Sequence, residues 1–509
     1  MRLPAGILLS IIILLPVSCG RKDNPAEGGA TPAIRIHEPG DISAFRASFE
    51  ADAVNASAIE FGTSEDMPLS VETGTAAPVT VTLSFGGLEQ MTAYTLYARG
   101  IGPGGERGNT VKVEFTTTKG PDSLYPWESG RTAVPSFADI SLVTMGWHNY
   151  SPPAWTAERF GSYVSYDGKW LFDAFLLIDG WDPVRNLSYS ITPSRNSAVK
   201  DSWLDLADAW LGEEGALKEL DKAVSDAAAS LGTPPSPRYI VMAVPDPIRY
   251  STFGDPSSST AYWGEIDGVK MDFSSPAHQV KACKWYMDLC RERFYRMGYK
   301  NLELAGFYIL SEELPLNPEF YKAAGQSYKA GVDDWNWQKK NWEIIVPELS
   351  SYAHSCNEGL WWVPYHLAPG YKVWRQLGFD MAWMQPNYYW DHGTVSHPLT
   401  DTREAIRNCR MGIELEFEYS LVASVMADGR SGPDGDGSPT FYLKDVPMLR
   451  DRVREYMNMY RESGNYGRFP IAVYSGTDAW NQLATSPDSG DKEMFREICN
   501  FITQSPLRK

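Results

Sequence analysis

Gly412-Ile413-Glu414-Leu415-Glu416-Phe417-Glu418 alternates between apolar and acidic residues without a break. Successive side chains of a strand point to opposite faces, so the three glutamates share one face. Taken alone, the stretch reads as a half-exposed antiparallel strand with its acids in water. Its surroundings in the chain change that reading.

Eight short apolar runs occupy residues 121–509: Ile140–Trp147, Trp170–Asp179, Tyr239–Asp246, Leu302–Glu312, Leu360–His366, Met381–Tyr389, Met411–Tyr419 and Phe469–Ser475. Most are separated by stretches of helical period: Ser197–Leu231, Ala277–Met297, Trp337–His354, Asp401–Arg410 and Leu443–Glu462, with Lys492–Thr503 after the last run. Strands alternating with helices imply a parallel sheet, and eight repeats with a closing helix predict an α/β fold of the (β/α)8 barrel type. Only the first and fifth connections are short.

Inside a barrel, one face of each strand packs on helices and the other points inward. Leu415 and Phe417 suit the helix side, which turns Glu414, Glu416 and Glu418 inward or towards the mouth. An unpaired buried carboxylate costs several kcal/mol or takes up a proton, and a structural role rarely requires this. Glu414 is then the deepest, Glu416 is the preferred nucleophile and Glu418 reaches the loop. The fourth run supplies a complement in Ser311-Glu312-Glu313, of which only one acid can face a cleft. Carboxyl groups about 5–5.5 Å apart give retaining glycoside hydrolysis, and ~6.5–9.5 Å leaves room for an inverting water.

Active sites of such barrels sit at the C-terminal ends of the strands. Most of the predicted ends here are polar or aromatic, and together they supply the candidate substrate contacts: Trp147, His148, Asp179, Asp246, Tyr365, His366, Gln385, Asn387 and Tyr388, with Tyr308 inside strand four. The chain holds 18 Trp and 27 Tyr, enough for both a core and a ring-lined sugar cleft.

Acids ending strands four and seven resemble the large clan of retaining (β/α)8 glycoside hydrolases. That resemblance implies Glu312 as acid/base and Glu416 as nucleophile, with Glu313 and Glu414 as alternates. The clan usually carries Asn-Glu at strand four; here Ser311 stands in place of the Asn that contacts the sugar 2-hydroxyl. More narrowly, Phe172-Asp173-Ala174-Phe175-Leu176, Gly306-Phe307-Tyr308, Trp362-Val363-Pro364-Tyr365, Gln385-Pro386-Asn387-Tyr388-Tyr389 and Gly412-Ile413-Glu414-Leu415-Glu416 resemble bacterial secreted proteins of the domain of unknown function 4855 family. This implies a glycosidase-like barrel over most of 121–509 and no established activity.

The N-terminus reads differently. Arg2 precedes the apolar run Ile7 to Leu15, a signal-peptide core too short to span a bilayer, within a segment covering residues 1–18. Pro16-Val17-Ser18-Cys19-Gly20 resembles the lipobox of bacterial lipoproteins, with Pro16 where Leu is usual. This implies lipidation at Cys19 and an extracytoplasmic, membrane-anchored protein of a Gram-negative outer membrane or cell surface. Residues 19–32 read as a flexible tether. Residues 33–118 alternate with period two, as in Val79-Thr80-Val81-Thr82-Leu83-Ser84-Phe85, and predict a small all-β sandwich. Thr92-Ala93-Tyr94-Thr95-Leu96-Tyr97-Ala98 resembles the late strands of an immunoglobulin-like fibronectin type III domain, which makes Tyr94 its corner tyrosine.

Composition narrows the function classes. A net charge of −18 argues against nucleic-acid partners, which need Lys and Arg to neutralise phosphate. The seven His show neither HxH nor HExxH spacing, and no GxSxG elbow, Walker loop or GxGxxG follows a strand. No cofactor or metal is expected, and carbohydrate is the expected partner. Cysteines other than Cys19 read as buried thiols without a catalytic role. Asp428–Gly437 reads as a mobile loop after strand seven; Asp434 and Asp436 lack the twelve-residue calcium pattern.

Overall fold

The structure, a computed structural model, describes residues 31–509 except 39, 43–45, 75–77, 87, 89–90, 118–133, 146–153, 191–194, 331–340, 393–395, 430–439, 477 and 509. The expected signal segment, Cys19, the tether up to residue 30, Trp147, His148 and most of the loop after strand seven lie outside the described residues. The chain divides into two compact units, the larger being essentially Thr117–Lys509.

The smaller unit holds two antiparallel sheets. In one, Arg46–Val54 pairs with Ala33–Ile36, Asp41–Ile42 and Val79–Gly86. In the other, the order is Leu69–Glu72, Ala58–Gly62, Ala93–Ile101, Val111–Thr116. Period two decides which residues go inside: Ala47, Phe49, Ala51 and Ala53 are buried on one sheet, Leu96, Ala98, Val113 and Phe115 on the other. Phe49 meets Phe115 edge-on at 5.4 Å, which closes the two sheets face to face, and Tyr94 stacks on Phe115 at 5.8 Å.

The larger unit is a closed barrel of eight parallel strands in chain order: Asp139–Val143, Ala174–Leu177, Arg238–Val244, Leu302–Ile309, Gly359–Trp362, Met381–Met384, Gly412–Glu416 and Ile471–Tyr474. Strand eight closes on strand one, with Tyr474 beside Leu142. All eight predicted runs are present, each shorter at its C-terminal end. Proline explains three of these early endings: Pro245, Pro364 and Pro386 follow strands three, five and six, and proline has no N–H to give a ladder. The expected helices appear as Lys200–Leu211 with Leu217–Leu231, Pro276–Met297, Trp342–Ser355, Leu399–Cys409, Val446–Ser463 and Ser489–Thr503. The short first connection still holds a helix, Ala157–Val164, and the fifth holds only the 3-10 turn Tyr371–Val373.

Strand four departs from regular pairing. Ile240 of strand three pairs with Leu304, but Val241 pairs with Gly306, which leaves Ala305 as a bulge. Gly306 has φ 149, and a Cβ there would meet the Gly359 carbonyl oxygen at 2.2 Å, so only glycine fits. Beyond the bulge, Phe307 faces outward under the Arg291 guanidinium of helix Pro276–Met297, 5.6 Å from the ring centre. Tyr308 therefore faces inward.

Candidate active site

Strand seven carries Glu414 and Glu416 on one face, with Ile413 and Leu415 on the other face in the core. The acidic face is the inner one, because the Glu414 charge is felt at Tyr308 of strand four and Tyr474 of strand eight. Both carboxyl groups are shut off from solvent, at 1% and 0% exposure. Glu416 Oε2 accepts from the Tyr456 hydroxyl at 2.8 Å and from the Asn387 amide at 2.7 Å. Asn387 sits in the left-handed region at φ 57, a conformation Asn tolerates, and this turns its N–H towards Glu416. Gln385 hydrogen-bonds Glu414. Glu414 Oε2 and Glu416 Oε1 have no hydrogen-bond partner among the described residues.

Burial pushes Glu414 well above the ordinary carboxyl range, and the charges of Glu416 and Glu312 add to the shift. Burial likewise raises Glu416, to about 8; the bonds from Tyr456 and Asn387 oppose the shift, and the charges of Glu312 and Asp391 add to it. Such groups prefer the neutral form in the folded protein. The Glu416 contribution to stability is fully present below the unfolded carboxyl range near 4.5 and is lost as pH rises through about 8. Glu416→Gln is therefore expected to melt above wild type, with a gap that widens between about pH 5 and pH 8. Thermal denaturation across pH checks this, and a gap independent of pH would overturn it.

Glu312 and Glu313 follow strand four and are half-buried. The Glu312 charge reaches Glu414, Glu416, Tyr308, Tyr365 and Tyr474, so it converges with the strand-seven pair. Ser311 donates its hydroxyl to the Glu313 carbonyl at 2.9 Å. The other expected contacts divide. Tyr365 packs beside Glu312, its amide donating to the Glu312 carbonyl at 3.1 Å. The Asp246 charge also reaches Tyr308, and Asp246 accepts from the Ser190 hydroxyl at 2.8 Å. Gln385 and Asn387 face strand seven, Asn387 through its backbone. His366, lowered to about 4 by burial and by His397, lies against Thr402. Tyr388 points to Glu455, donating at 2.6 Å. Asp179 is built into the wall, accepting from Thr144, the Met145 amide and the Trp210 indole at 2.5, 3.0 and 3.0 Å.

Three groups at the site escaped the sequence reading. Tyr456 comes from helix Val446–Ser463, and nothing in its helical pattern marks it. Tyr474, the last residue of strand eight, is one of the aromatic strand ends the sequence points to, without being singled out there as a substrate contact. Asp391 and His397 lie in the connection after strand six, where no strand pattern points to them. Among the described residues, no group of three His, Cys, Asp or Glu is placed to hold a metal ion.

The sequence model of the domain of unknown function DUF4855 matches residues 139–430. The chain belongs to this family. The DUF4855 match starts on the first residue of strand one and includes Glu312, Glu414 and Glu416, while strand eight and Tyr456 lie beyond it. No curated protein matches the chain. Among solved structures, it is similar to a Bacteroides ovatus GH5 xyloglucanase, with TM-score 0.37, 8% identity, and 92% of this chain and 100% of that one covered. It is also similar to a Bacteroides uniformis beta-glucuronidase, with TM-score 0.30, 9% identity and 88% of this chain covered, and spans 45% of that protein's length. A putative beta-galactosidase from Bacteroides fragilis gives TM-score 0.29, 9% identity, and coverage of 90% and 61%. No residue role is carried over from likenesses at this level.

Proposed function

We propose that this DUF4855 protein hydrolyses a glycosidic bond in an oligo- or polysaccharide, with Glu312 as general acid and Glu416 as nucleophile. The observation that carries this is the convergence of Glu312 with a buried, proton-holding pair on strand seven at the C-terminal mouth of a closed barrel. Glu312, partly open to solvent, would protonate the leaving oxygen. Glu416, held by Tyr456 and Asn387 on one oxygen, would present the other to the anomeric carbon as the carboxylate, after giving up its proton, so turnover would rise as pH rises through about 8. Tyr308, Tyr365, Gln385 and Tyr474 would contact the sugar. Release of sugar from a glycan panel by wild type, lost in both Glu312→Gln and Glu416→Gln, supports the reading. A product with an unsaturated sugar end, seen by ultraviolet absorbance, sinks it.

A second reading has a specific observation behind it. Ser311 replaces the strand-four Asn and turns its hydroxyl to its own chain, so the barrel could bind carbohydrate without turning it over; binding with no product from wild type selects this reading.

The proposal extends to placement. Residues 1–18 would direct export, and Cys19 would carry the lipid that anchors tether 19–32, sandwich 33–118 and barrel 121–509 outside the cytoplasm. Cys19→Ala is expected to abolish incorporation of labelled palmitate and to move the protein from the membrane to the soluble fraction. Unchanged labelling overturns the anchor.

A further inference from the structure

Two connections at the C-terminal ends of the strands build a pocket that the proposed reaction does not use. After strand two the chain forms a small three-stranded sheet, Trp181–Asp182, Leu187–Ser188 and Asn196–Ser197. The connection after strand three is tied to it. The Ser197 amide donates to the Ser251 carbonyl at 3.0 Å, and the Ser197 hydroxyl to the Tyr250 carbonyl at 2.7 Å. Between them lies a pocket of about 310 Å³ whose lining includes Arg185, Asn186, Arg195, Asn196, Thr252 and Phe253. This is the small end of the range for ligand clefts, ~300–1,000 Å³, and suits one sugar unit. The sheet is joined to the mouth: the Ser190 hydroxyl donates to Asp246 at 2.8 Å, and the Asp246 charge reaches Tyr308 inside the barrel.

The two arginines of the pocket differ in how their charge is met. Arg185 donates to Asp182 at 2.9 Å and to Asp205 at 2.6 Å. Arg195 has no carboxylate partner among the described residues. Its guanidinium lies over the Trp181 ring, 4.0 Å from the centre, and its Nε donates to Asn186 Oδ1 at 3.0 Å. These contacts fix the plane of the fork and use only its inner nitrogen. Both terminal amino groups are left without a partner among the described residues, side by side, the arrangement that takes two oxygens of a carboxylate or a sulfate. A held, unbalanced cation is out of keeping with a chain of net charge −18. Around it, Asn196 and Thr252 supply amide and hydroxyl groups for sugar hydroxyls, and Phe253, 38% exposed, offers an apolar ring face.

We propose that this pocket binds one anionic sugar unit, a uronate or a sulfate ester, with Arg195 taking its charged group and Phe253 its ring face, and so selects an acidic polysaccharide for the barrel. This rests on the carbohydrate reading of the barrel.

Binding is measured on the Glu416→Gln protein, so that no glycan is consumed. Affinity gel electrophoresis uses polygalacturonate and alginate for the carboxylate, κ-carrageenan for the sulfate and unsulfated galactan for neither. At least one anionic polymer should retard the protein, by at least ~10-fold more than galactan does. Arg195→Met, which keeps a stem over Trp181 and loses the fork, should weaken that binding by ~10–100-fold, and Arg195→Lys should recover only part of it. Phe253→Ala, at a side chain outside the core, should weaken it by ~2–10-fold. Retardation by the uronates alone assigns the carboxylate, and by κ-carrageenan alone the sulfate. Equal retardation by all the polymers, none by any anionic one, or undiminished binding by Arg195→Met overturns the inference, whether or not wild type releases sugar. Binding that depends on Arg195, with no sugar released from any glycan, leaves the inference standing and overturns the hydrolase.

Discussion

Glu416→Gln is expected to lower kcat/KM for glycan hydrolysis by ~10³-fold or more, with the fold intact. The amide oxygen of Gln can still accept from Tyr456 and the Asn387 N–H, the two bonds that hold this side chain. What it loses is the capacity to attack carbon or to take a proton. Glu312→Gln should cost ~10²–10⁴-fold on substrates with poor leaving groups, the span usual for general acid catalysis. Product release measured by chromatography, beside a circular dichroism spectrum, separates chemistry from unfolding. If Glu416→Gln keeps its activity and Glu414→Gln loses it, the two glutamates exchange roles; if neither loses it, strand seven is not the reacting strand.

The largest expected loss of stability lies at the other end of the barrel. Arg291, on helix Pro276–Met297, makes a two-pronged bond to Glu358 at 2.9 and 2.6 Å, just before strand five. The side chains are 2% and 0% exposed. Arg291→Ala leaves Glu358 buried with its main cation gone, and should cost about 3–5 kcal/mol. Replacing both partners with apolar residues of similar size, as in Arg291→Met with Glu358→Leu, should cost far less, because no charge is then stranded. Chemical denaturation of the three proteins checks this. A double variant as unstable as Arg291→Ala would show that the cost comes from lost packing.

The barrel was legible because the period of its apolar runs alternates with helical stretches, a pattern that survives without knowledge of contacts. Ends were less legible: polar residues continue past the last ladder bond, so Gln385 and Asn387 looked like strand although Pro386 had already stopped it. Glu414 and Glu416 were readable from strict alternation, since Leu415 could face only the helices. Asp179 gave the same signal of a polar strand end, yet Thr144, Met145 and Trp210 hold both its oxygens in the wall; a sequence does not say which donors wait nearby. Tyr456, Asp391 and His397 were out of reach, because they arise from a helix and a connection brought to the mouth only by closure of the barrel.

The bulge at Ala305 has a consequence of parity. A strand is a two-letter code, in and out, and one extra residue inverts every letter after it. Tyr308 belongs to the interior only because Ala305 has been counted without being paired, and Gly306 is the glycine that lets the count slip. Deletion of that single alanine would join Leu304 to Gly306 in regular pairing and leave Phe307 out and Tyr308 in, whereas pairing Ala305 with Val241 would transpose strand four, sending Phe307 into the barrel and Tyr308 out to the helices. The interior lining of strand four is thus set by an integer as much as by the residues that compose it.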